Sequence, residues 1–457
     1  MSDALGLRPY QVNDLAFYMS HPRGGNFSDP GTGKTPSVCV YMGWLWCEKK
    51  VRSIWTMPKS LLKKNLQELL LWSGLRAEDI VIVTGTPARR ERLMQTDAKV
   101  FLMGFDAFAR NWERLVELHP DIDCLVADEW HMGFKTNGSQ RTQSMYRFME
   151  RTTFLVSMTG TLIDGRLDAA YPFIHLVEPY IGGYDGFRMR HAMEDDFGKV
   201  IEWIRPKEVG AILKRHSIRH TFAETYGPEA RVIIVETCEM VPKQRALYDE
   251  FEARALVELE DGWLDGTLPG VNLVRCRQLM EHPQSFGPPL DAIRLTGKEE
   301  RLLIHLADHR NTGKPLVIFG ALTAQHRRIA QLCKSEGFRV GLINGSVSEA
   351  RRSRIDLEFR AGRLDIVVAS PATAGIGFNW GHVDHVLFMS LDYMDSNFVQ
   401  AYRRAIRGPR KKPLRITVMA YANSVDQQIF AIVERKSRMA QDVDKTRERV
   451  RLFQHRS

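Results

Sequence analysis

Long apolar runs are missing from this chain. None of its 457 residues lies in a stretch of about 18 consecutive apolar positions, so a membrane-spanning helix is not expected. Cysteine is scarce. The six thiols (Cys39, Cys47, Cys124, Cys238, Cys276, Cys333) are scattered with no Cys-x-x-Cys pair. That pattern argues against a zinc ribbon or a disulfide framework and fits buried free thiols in a reducing compartment. There is no repeat of fixed period and no low-complexity tract, and Met1–Gly6 carries no basic segment leading into an apolar run, so no secretory signal is expected. What is present, 44% hydrophobic and 26% charged residues, belongs to a globular protein able to bury sizeable cores. Basic side chains exceed acidic ones by 64 to 55, a net charge of +9, which fits a polyanionic partner. The excess is concentrated late, where Arg403, Arg404, Arg407, Arg410, Lys411, Lys412 and Arg415 run without an intervening acid.

Short β-branched apolar runs alternate with longer helical patterns, the signature of parallel sheets wrapped by helices. In the first part, strands are expected near 51–57, 79–84, 99–104, 123–127 and 153–157. They recur near 315–319, 339–343, 364–369, 385–390 and 414–420. Thr296-x-x-Glu299 and Ser346-x-x-Glu349 read as capping boxes. Between the two α/β parts, residues 185–290 are rich in charge, Trp and Tyr, with helical stretches at 242–260 and 271–282 and one clear strand, 231–236. The expected organisation is therefore a first α/β lobe over 1–184, a mostly helical insert over 185–290, a second α/β lobe over 291–437 and a basic tail over 438–457.

Ser28-Asp29-Pro30-Gly31-Thr32-Gly33-Lys34-Thr35 is the strongest single motif. Its glycines let successive N–H groups converge on phosphate oxygens, and the following helix adds its dipole. Gly31, Thr32 and Gly33 would form the cradle, Lys34 would reach the outer phosphates, and the Thr35 hydroxyl would hold Mg²⁺. The general pattern has Gly where this chain has Ser28, and the competing reading is a glycine-rich turn before an ordinary helix. Asp128-Glu129-Trp130-His131 follows the apolar strand at 123–127. A strand ending in adjacent carboxylates places them at the carboxyl edge of a parallel sheet. Asp128 would coordinate Mg²⁺ and Glu129 would activate a water, as phosphoryl transfer to water requires; taken alone, the pair equally reads as a solvated turn. In Gln400–Gly408, Arg404 and Arg407 are three apart and on a helix would share one face, able to assist at a phosphate from a second lobe. In isolation that segment reads as a basic solvated face or an import cluster.

These pieces, in this order, resemble the superfamily-two helicases, and within them the Swi/Snf family of ATP-driven DNA translocases. Leu7-Arg8-Pro9-Tyr10-Gln11 is similar to the family's opening motif, and Pro58-Lys59-Ser60-Leu61-Leu62 resembles motif Ia. Ser157–Ile163 resembles motif III, Asn344-Gly345-Ser346 the "DGS" block, Ala374–Asn379 motif V and Gln400–Gly408 motif VI. Arg205-Pro206, Lys214-Arg215-His216, Gln244–Tyr248 and Glu281-His282-Pro283 look like marks of the Swi/Snf group, and Glu434-Arg435-Lys436 has a counterpart too. Departures are a shorter phosphate loop, Trp130 where the family usually has Ala, and Pro409-Arg410 at the end of motif VI.

The resemblance, which covers about residues 5–445, implies two RecA-like lobes with ATP and Mg²⁺ between them. Lys34, Glu129, Arg404 and Arg407 would be catalytic. Gln11 would read adenine, and Gly377 of the motif V segment would join the phosphate loop and Asp128 in binding nucleotide. His131, Thr159, Gly375 and Gln400 would couple hydrolysis to movement. Lys59, Lys63 and Lys64 are candidates for the phosphate backbone of the nucleic acid, although lysines on a helix are as readily just solvated. The expected activity is DNA-dependent ATP hydrolysis driving movement along double-stranded or branched DNA, in recombination, repair or replication. Two alternatives compete. A strand-separating helicase on DNA or RNA would need a pin or winged helix, for which no spare residues are visible. An ATP-binding scaffold without turnover is opposed by the intact Lys34, Glu129, Arg404 and Arg407. Since almost every residue is used by the motor itself, a minimal cytoplasmic motor of a bacterium or virus-infected host cell is expected, with a nuclear one as the alternative.

Overall fold

The computed structural model describes residues 6–452 except 164, 179, 255, 260–261, 266–270, 287–291, 375–376, 407–409, 411 and 448–449, with the backbone alone at 254, 256–259, 262–265 and 271–273. It divides into two compact units, one running through Pro228 and taking in the stretch from Lys436, the other covering Glu229–Arg435 and the last described residues.

The first unit holds β1 (Arg23–Asn26), β2 (Arg52–Met57), β3 (Ile80–Ile82), β4 (Val100–Gly104), β5 (Ile122–Asp128), β6 (Phe154–Met158), β7 (Ala192–Glu194), β8 (Val200–Trp203) and β9 (Ser217–Ile218). Seven form one sheet in the order β3-β4-β2-β5-β6-β1-β9, every pair parallel. β7 and β8 make a separate antiparallel hairpin. The core is strongly aromatic. Phe105, Phe108, Trp112 and Leu115 recur at helical spacing along Phe105–Leu118 and pack with Trp130, Phe134, Phe148 and Phe173 under the sheet. Each such fully buried side chain contributes about 1.5–3 kcal/mol.

The second unit holds β10 (Arg231–Cys238), β11 (Leu256–Leu259), β12 (Gly262–Asp265), β13 (Leu316–Phe319), β14 (Val340–Ile343), β15 (Ile366–Ala369), β16 (His385–Phe388) and β17 (Leu414–Tyr421). Its six-stranded sheet runs β10-β17-β16-β13-β15-β14, again all parallel, and β11–β12 is a separate hairpin. Both units thus have the parallel sheet flanked by helices of a RecA-like lobe. No helix of the described residues is long and apolar enough to cross a membrane.

The strands expected from apolar runs all form, and those without such runs are additions. β1 reads Arg-Gly-Gly-Asn, yet it lies inside the sheet between β6 and β9. Its glycines are there for space: a Cβ on Gly24 would come within 2.7 Å of the Phe17 ring, and one on Gly25 within 2.4 Å of the Phe27 ring. Within 185–290, where one strand is expected, β7 to β12 form, and the segment is shared by the two units because β9 pairs in the first sheet and β10 in the second. The helix expected over 242–260 stops at Arg254 and gives way to β11. Thr296 and Glu299 make the expected capping box. Ser346 does not cap: it bonds Asn344 Oδ1, and Ser348 caps the helix Glu349–Arg360 instead. Five of the six free cysteines are buried and Cys47 is exposed.

Candidate active site

Ligand sites in parallel sheets lie at the carboxyl ends of strands, and β1, β2, β5 and β6 stand side by side in the first unit. From the end of β1 the chain turns through Ser28–Gly33 into the helix Lys34–Trp44. Gly31 (φ +90°) and Gly33 (φ +85°) take left-handed conformations that a side chain disfavours. The loop is braced from below by Pro9–Ser20: Gln11 Nε2 donates to Gly33 O (2.8 Å) and the Tyr10 hydroxyl to Thr32 O (2.5 Å). Lys34 Nζ donates to Ser28 O (2.7 Å) and Asp29 O (3.2 Å). Burial lowers the pKa of this ammonium, and the carboxylates of Glu129, Asp128 and Asp29 oppose that loss. Thr35 is the second residue of the helix and half-buried.

β5 ends at Asp128, whose Oδ2 accepts from Asn65 Nδ2 (3.1 Å) and whose Oδ1 accepts from the Glu129 N–H (3.0 Å). Burial first, then the adjacent Glu129 carboxylate, push the Asp128 pKa above the usual range, while Asn65, Lys34 and Lys64 pull it back. Glu129 sits at φ +51°, ψ +50°, a left-handed strain of order 1–3 kcal/mol for a non-glycine residue. That turn aims its carboxylate inward, where Oε2 is buried, accepts no hydrogen bond from a described donor, and lies 3.5 Å from His131 Nδ1. The same His131 nitrogen is 2.8 Å from Thr159 Oγ1, which also accepts from the Thr161 N–H (3.0 Å). Gly160 follows against the loop itself, with Pro30 2.7 Å from where its Cβ would be.

The structure thus brings together Gln11, Gly31, Thr32, Gly33, Lys34, Thr35, Asp128, Glu129, His131 and Thr159. Lys59, Lys63 and Lys64 are exposed beyond the end of β2; the charge of Lys64 is felt at Asp128. In the second unit the helix Asp395–Tyr402 ends before the arginines, so Arg404 lies in a turn closed by Arg404 N–H to Ala401 O (3.2 Å) and not on the expected helix face. Gln400, Arg403 and Arg404 are buried, and Arg404 O accepts from the Trp380 N–H (2.7 Å). Gly377 takes φ +87°. Arg407 and Gly375 lie outside the described residues.

Sequence reasoning missed the wall of the loop. Arg219 Nη2 donates to Asp29 Oδ1 (2.9 Å), the Phe222 N–H to Asp29 Oδ2 (3.1 Å), the His220 N–H to Ser28 Oγ (2.9 Å) and the Tyr226 hydroxyl to Gly31 O (3.2 Å). No motif announces these residues. Asn65 did leave a signal: it interrupts the apolar stripe Leu62, Leu69 with a buried amide.

The model of the helicase conserved C-terminal domain matches residues 297–409. The ISW1 chromatin-remodeling complex ATPase of Saccharomyces cerevisiae is 22% identical over 95% of this chain and 40% of its own length. The human SWI/SNF-related matrix-associated actin-dependent regulator of chromatin subfamily A member 1 is 23% identical over 95% and 43%. The zebrafish (Danio rerio) chromodomain-helicase-DNA-binding protein 1-like is 21% identical over 96% and 44%. Along nearly its whole length the chain is therefore similar to ATPases of Swi/Snf type. It spans less than half the length of these relatives. Among solved structures, the Sulfolobus solfataricus SWI2/SNF2 ATPase core in complex with dsDNA shares 19% identity over 93% of this chain and 89% of that one, at a TM-score of 0.43.

The segments that resemble marks of the Swi/Snf group do structural work. Arg205 takes φ +55° so that Pro206 can open the helix Pro206–His216. Gln244 Nε2 donates to Leu279 O and Met280 O, and Arg245 to Ala422 O and Asn423 O. Glu281 pairs with Lys298 (2.6 Å), which also meets Asp426 (2.9 Å), all three nearly inaccessible. Trp130, the departure from the usual Ala, is fully buried against Phe134 and Phe173.

Proposed function

We propose that the chain is an ATP-driven double-stranded DNA translocase of Swi/Snf type. The observation that carries this reading is Glu129: a carboxylate held in a strained turn beside Asp128 and Lys34, with one buried oxygen that accepts no hydrogen bond from a described donor. Such an oxygen is poised to accept a proton from an attacking water. The residues present fit a nucleoside triphosphate. Two left-handed glycines open the loop, a Cβ on Gly33 would come within 2.9 Å of Gln11 Nε2, and the N-terminus of Lys34–Trp44 faces the anion site. Thr35 and Asp128 would hold Mg²⁺, which would neutralise charge on the transferring phosphoryl group. Lys34 would exchange the carbonyls of Ser28 and Asp29 for phosphate oxygens. His131, between Glu129 and Thr159, would tie the state of the base to the backbone after β6. Arg404 and Arg407 are proposed as catalytic arginines on the resemblance of Gln400–Gly408 to motif VI.

Duplex DNA is proposed as the track because relatives matching nearly the whole chain are named as chromatin-remodeling and DNA-binding proteins. Recombination, repair or replication is the proposed setting, with DNA structures or bound proteins as what is remodelled. The test measures ATP hydrolysis with no nucleic acid, single-stranded, duplex and forked DNA, and RNA. Stimulation chiefly by duplex or forked DNA, abolished by Lys34→Ala or Glu129→Gln, supports the proposal. Full DNA-dependent turnover in either variant overturns it.

One observation favours strand separation as a second reading. The β7–β8 hairpin is a candidate pin that the sequence had left no room for, and Phe197 at its tip is 95% exposed. Glu194, Asp195, Asp196 and Glu202 on the same hairpin repel phosphate, which weighs against it. Displacement of a forked strand by the wild type, lost more than about tenfold in Phe197→Ala, would establish unwinding; ATPase activity without displacement would leave translocation alone.

A further inference from the structure

Residues 436–447 form a strap on the first unit. Two glycines make its seat: the Lys436 stem crosses Gly165, and Gly210, inside the helix Pro206–His216, leaves room for Val443 O, which would lie 2.0 Å from a Cβ. Arg447 Nη2 donates to Gly160 O (2.6 Å), directly after Thr159. The strap meets the phosphate loop through Arg219. Its Nη1 donates to Phe27 O (2.5 Å) and Nη2 to Asp29 Oδ1 (2.9 Å) on the loop side, while Nε donates to Thr446 Oγ1 (2.9 Å) and pairs with Asp444 on the strap side. A cavity of about 620 Å³, lined by Phe27, Leu162, Leu213, Val443 and Arg219 itself, lies alongside. The guanidinium is therefore held by its four partners more than by packing, and its position depends on all of them.

We infer that Arg219 is a positioning residue that links docking of the 436–447 strap to the affinity of the phosphate loop for ATP. The physical reason is charge. Asp29 lies in the loop whose carbonyls hold Lys34, and an unneutralised carboxylate there opposes an incoming polyphosphate. Arg219 neutralises it only while its fork is kept in place, and Asp444 and Thr446 keep it there. Arg219 also bears on Lys34 directly, its charge opposing that of the ammonium. Linkage is reciprocal: if the docked strap favours ATP, bound ATP favours the docked strap by the same factor. A lysine at 219 would supply the charge without the fork.

This inference rests on reading Ser28–Thr35 as the ATP loop, and the experiment separates the two. The dissociation constant of a fluorescent ATP analogue with Mg²⁺ is measured on the full chain, with kcat alongside, and amide exchange of 436–447 is followed with and without β,γ-imido-ATP. Arg219→Ala is expected to weaken binding about tenfold and Asp444→Asn about threefold, with kcat changed less than about twofold. The double variant should match Arg219→Ala alone, since the strap then has nothing to act through. Arg219→Lys should recover most of the affinity yet lose the nucleotide-dependent protection of the strap seen in the wild type. Multiplying effects, unchanged affinity in Asp444→Asn, or a wild-type strap whose exchange ignores the nucleotide would overturn the inference while the ATP loop stands. Should Arg219→Ala fail to fold, Arg219→Lys and Asp444→Asn carry the test. A wild type that binds no ATP analogue would overturn the reading of the loop and this inference with it.

Discussion

Buried charge is treated in opposite ways in the two units. In the second, Lys298 meets both Glu281 and Asp426, Glu281 also accepts from Gln325, and Asp426 accepts from the Tyr421 N–H, so the cluster closes on itself. Two carboxylates share one ammonium there, and burial pushes the Glu281 pKa up to about 7. In the first unit, Lys34 is parked on backbone carbonyls, burial raises the Asp128 pKa, and Glu129 Oε2, 3.5 Å from His131 Nδ1, accepts no hydrogen bond from a described donor. A buried charge whose partners are all present holds architecture together. One whose partners are incomplete is waiting for a ligand, because leaving it so costs stability that only binding or chemistry recovers.

Three measurements can break or sharpen this contrast. The largest effect is expected for Glu129→Gln, which should lower DNA-stimulated kcat on the order of 10³-fold, about 4 kcal/mol of barrier, while leaving thermal stability unchanged or raised. A large loss of stability would place Glu129 with the architectural charges. Next, Lys298→Met strands two buried carboxylates and should destabilise the second unit by about 3 kcal/mol in urea unfolding. ATP-analogue affinity, proposed to rest chiefly on the Ser28–Thr35 loop of the first unit, should change far less; a matching loss of affinity would end the division of labour.

The smallest effect concerns the histidines of the second unit. His309 Nε2 is 2.8 Å from His385 Nδ1, and His385 Nε2 is 2.9 Å from Thr417 Oγ1. Burial holds His385 at about 2, far below its ordinary value, and lowers His309 as well. As pH falls below about 6.5 the unfolded chain takes up these protons first, so stability is full above that pH and is lost progressively towards pH 2. At pH 5 His385 alone should account for about 2 kcal/mol. His385→Gln should flatten the pH dependence of the urea midpoint between pH 7 and 5, and an unchanged slope would show that this pair is not a buried neutral ladder.

Much of the candidate site was legible because binding a phosphate would constrain neighbours in sequence. Gly31, Gly33, Lys34 and Thr35 would have to be adjacent to wrap one anion, and Asp128-Glu129 would have to end a strand. Arg219, His220 and Tyr226 could not be found that way, since they reach the loop from about 190 residues away and carry no motif. Arg404 was singled out in the sequence, but its expected helix face was not realised, because the helix ends at Tyr402.

The contrast extends to the fold. Local patterning determined the strands of continuous apolar runs: segments such as Leu125-Val126-Ala127 are stable only between two covered faces, whatever surrounds them. It could not reveal β1, whose two glycines are explained only by the rings of Phe17 and Phe27 packed over them. Nor could it assign 185–290 to two units, since that depends on which sheet edge β9 and β10 find. The sequence alone determined the strands of continuous apolar runs and the glycine-bearing turn of Ser28–Thr35, because both rest on contacts within a few residues. The tertiary structure decided which charges close on one another and which are left incomplete, because that depends on groups brought together across hundreds of residues.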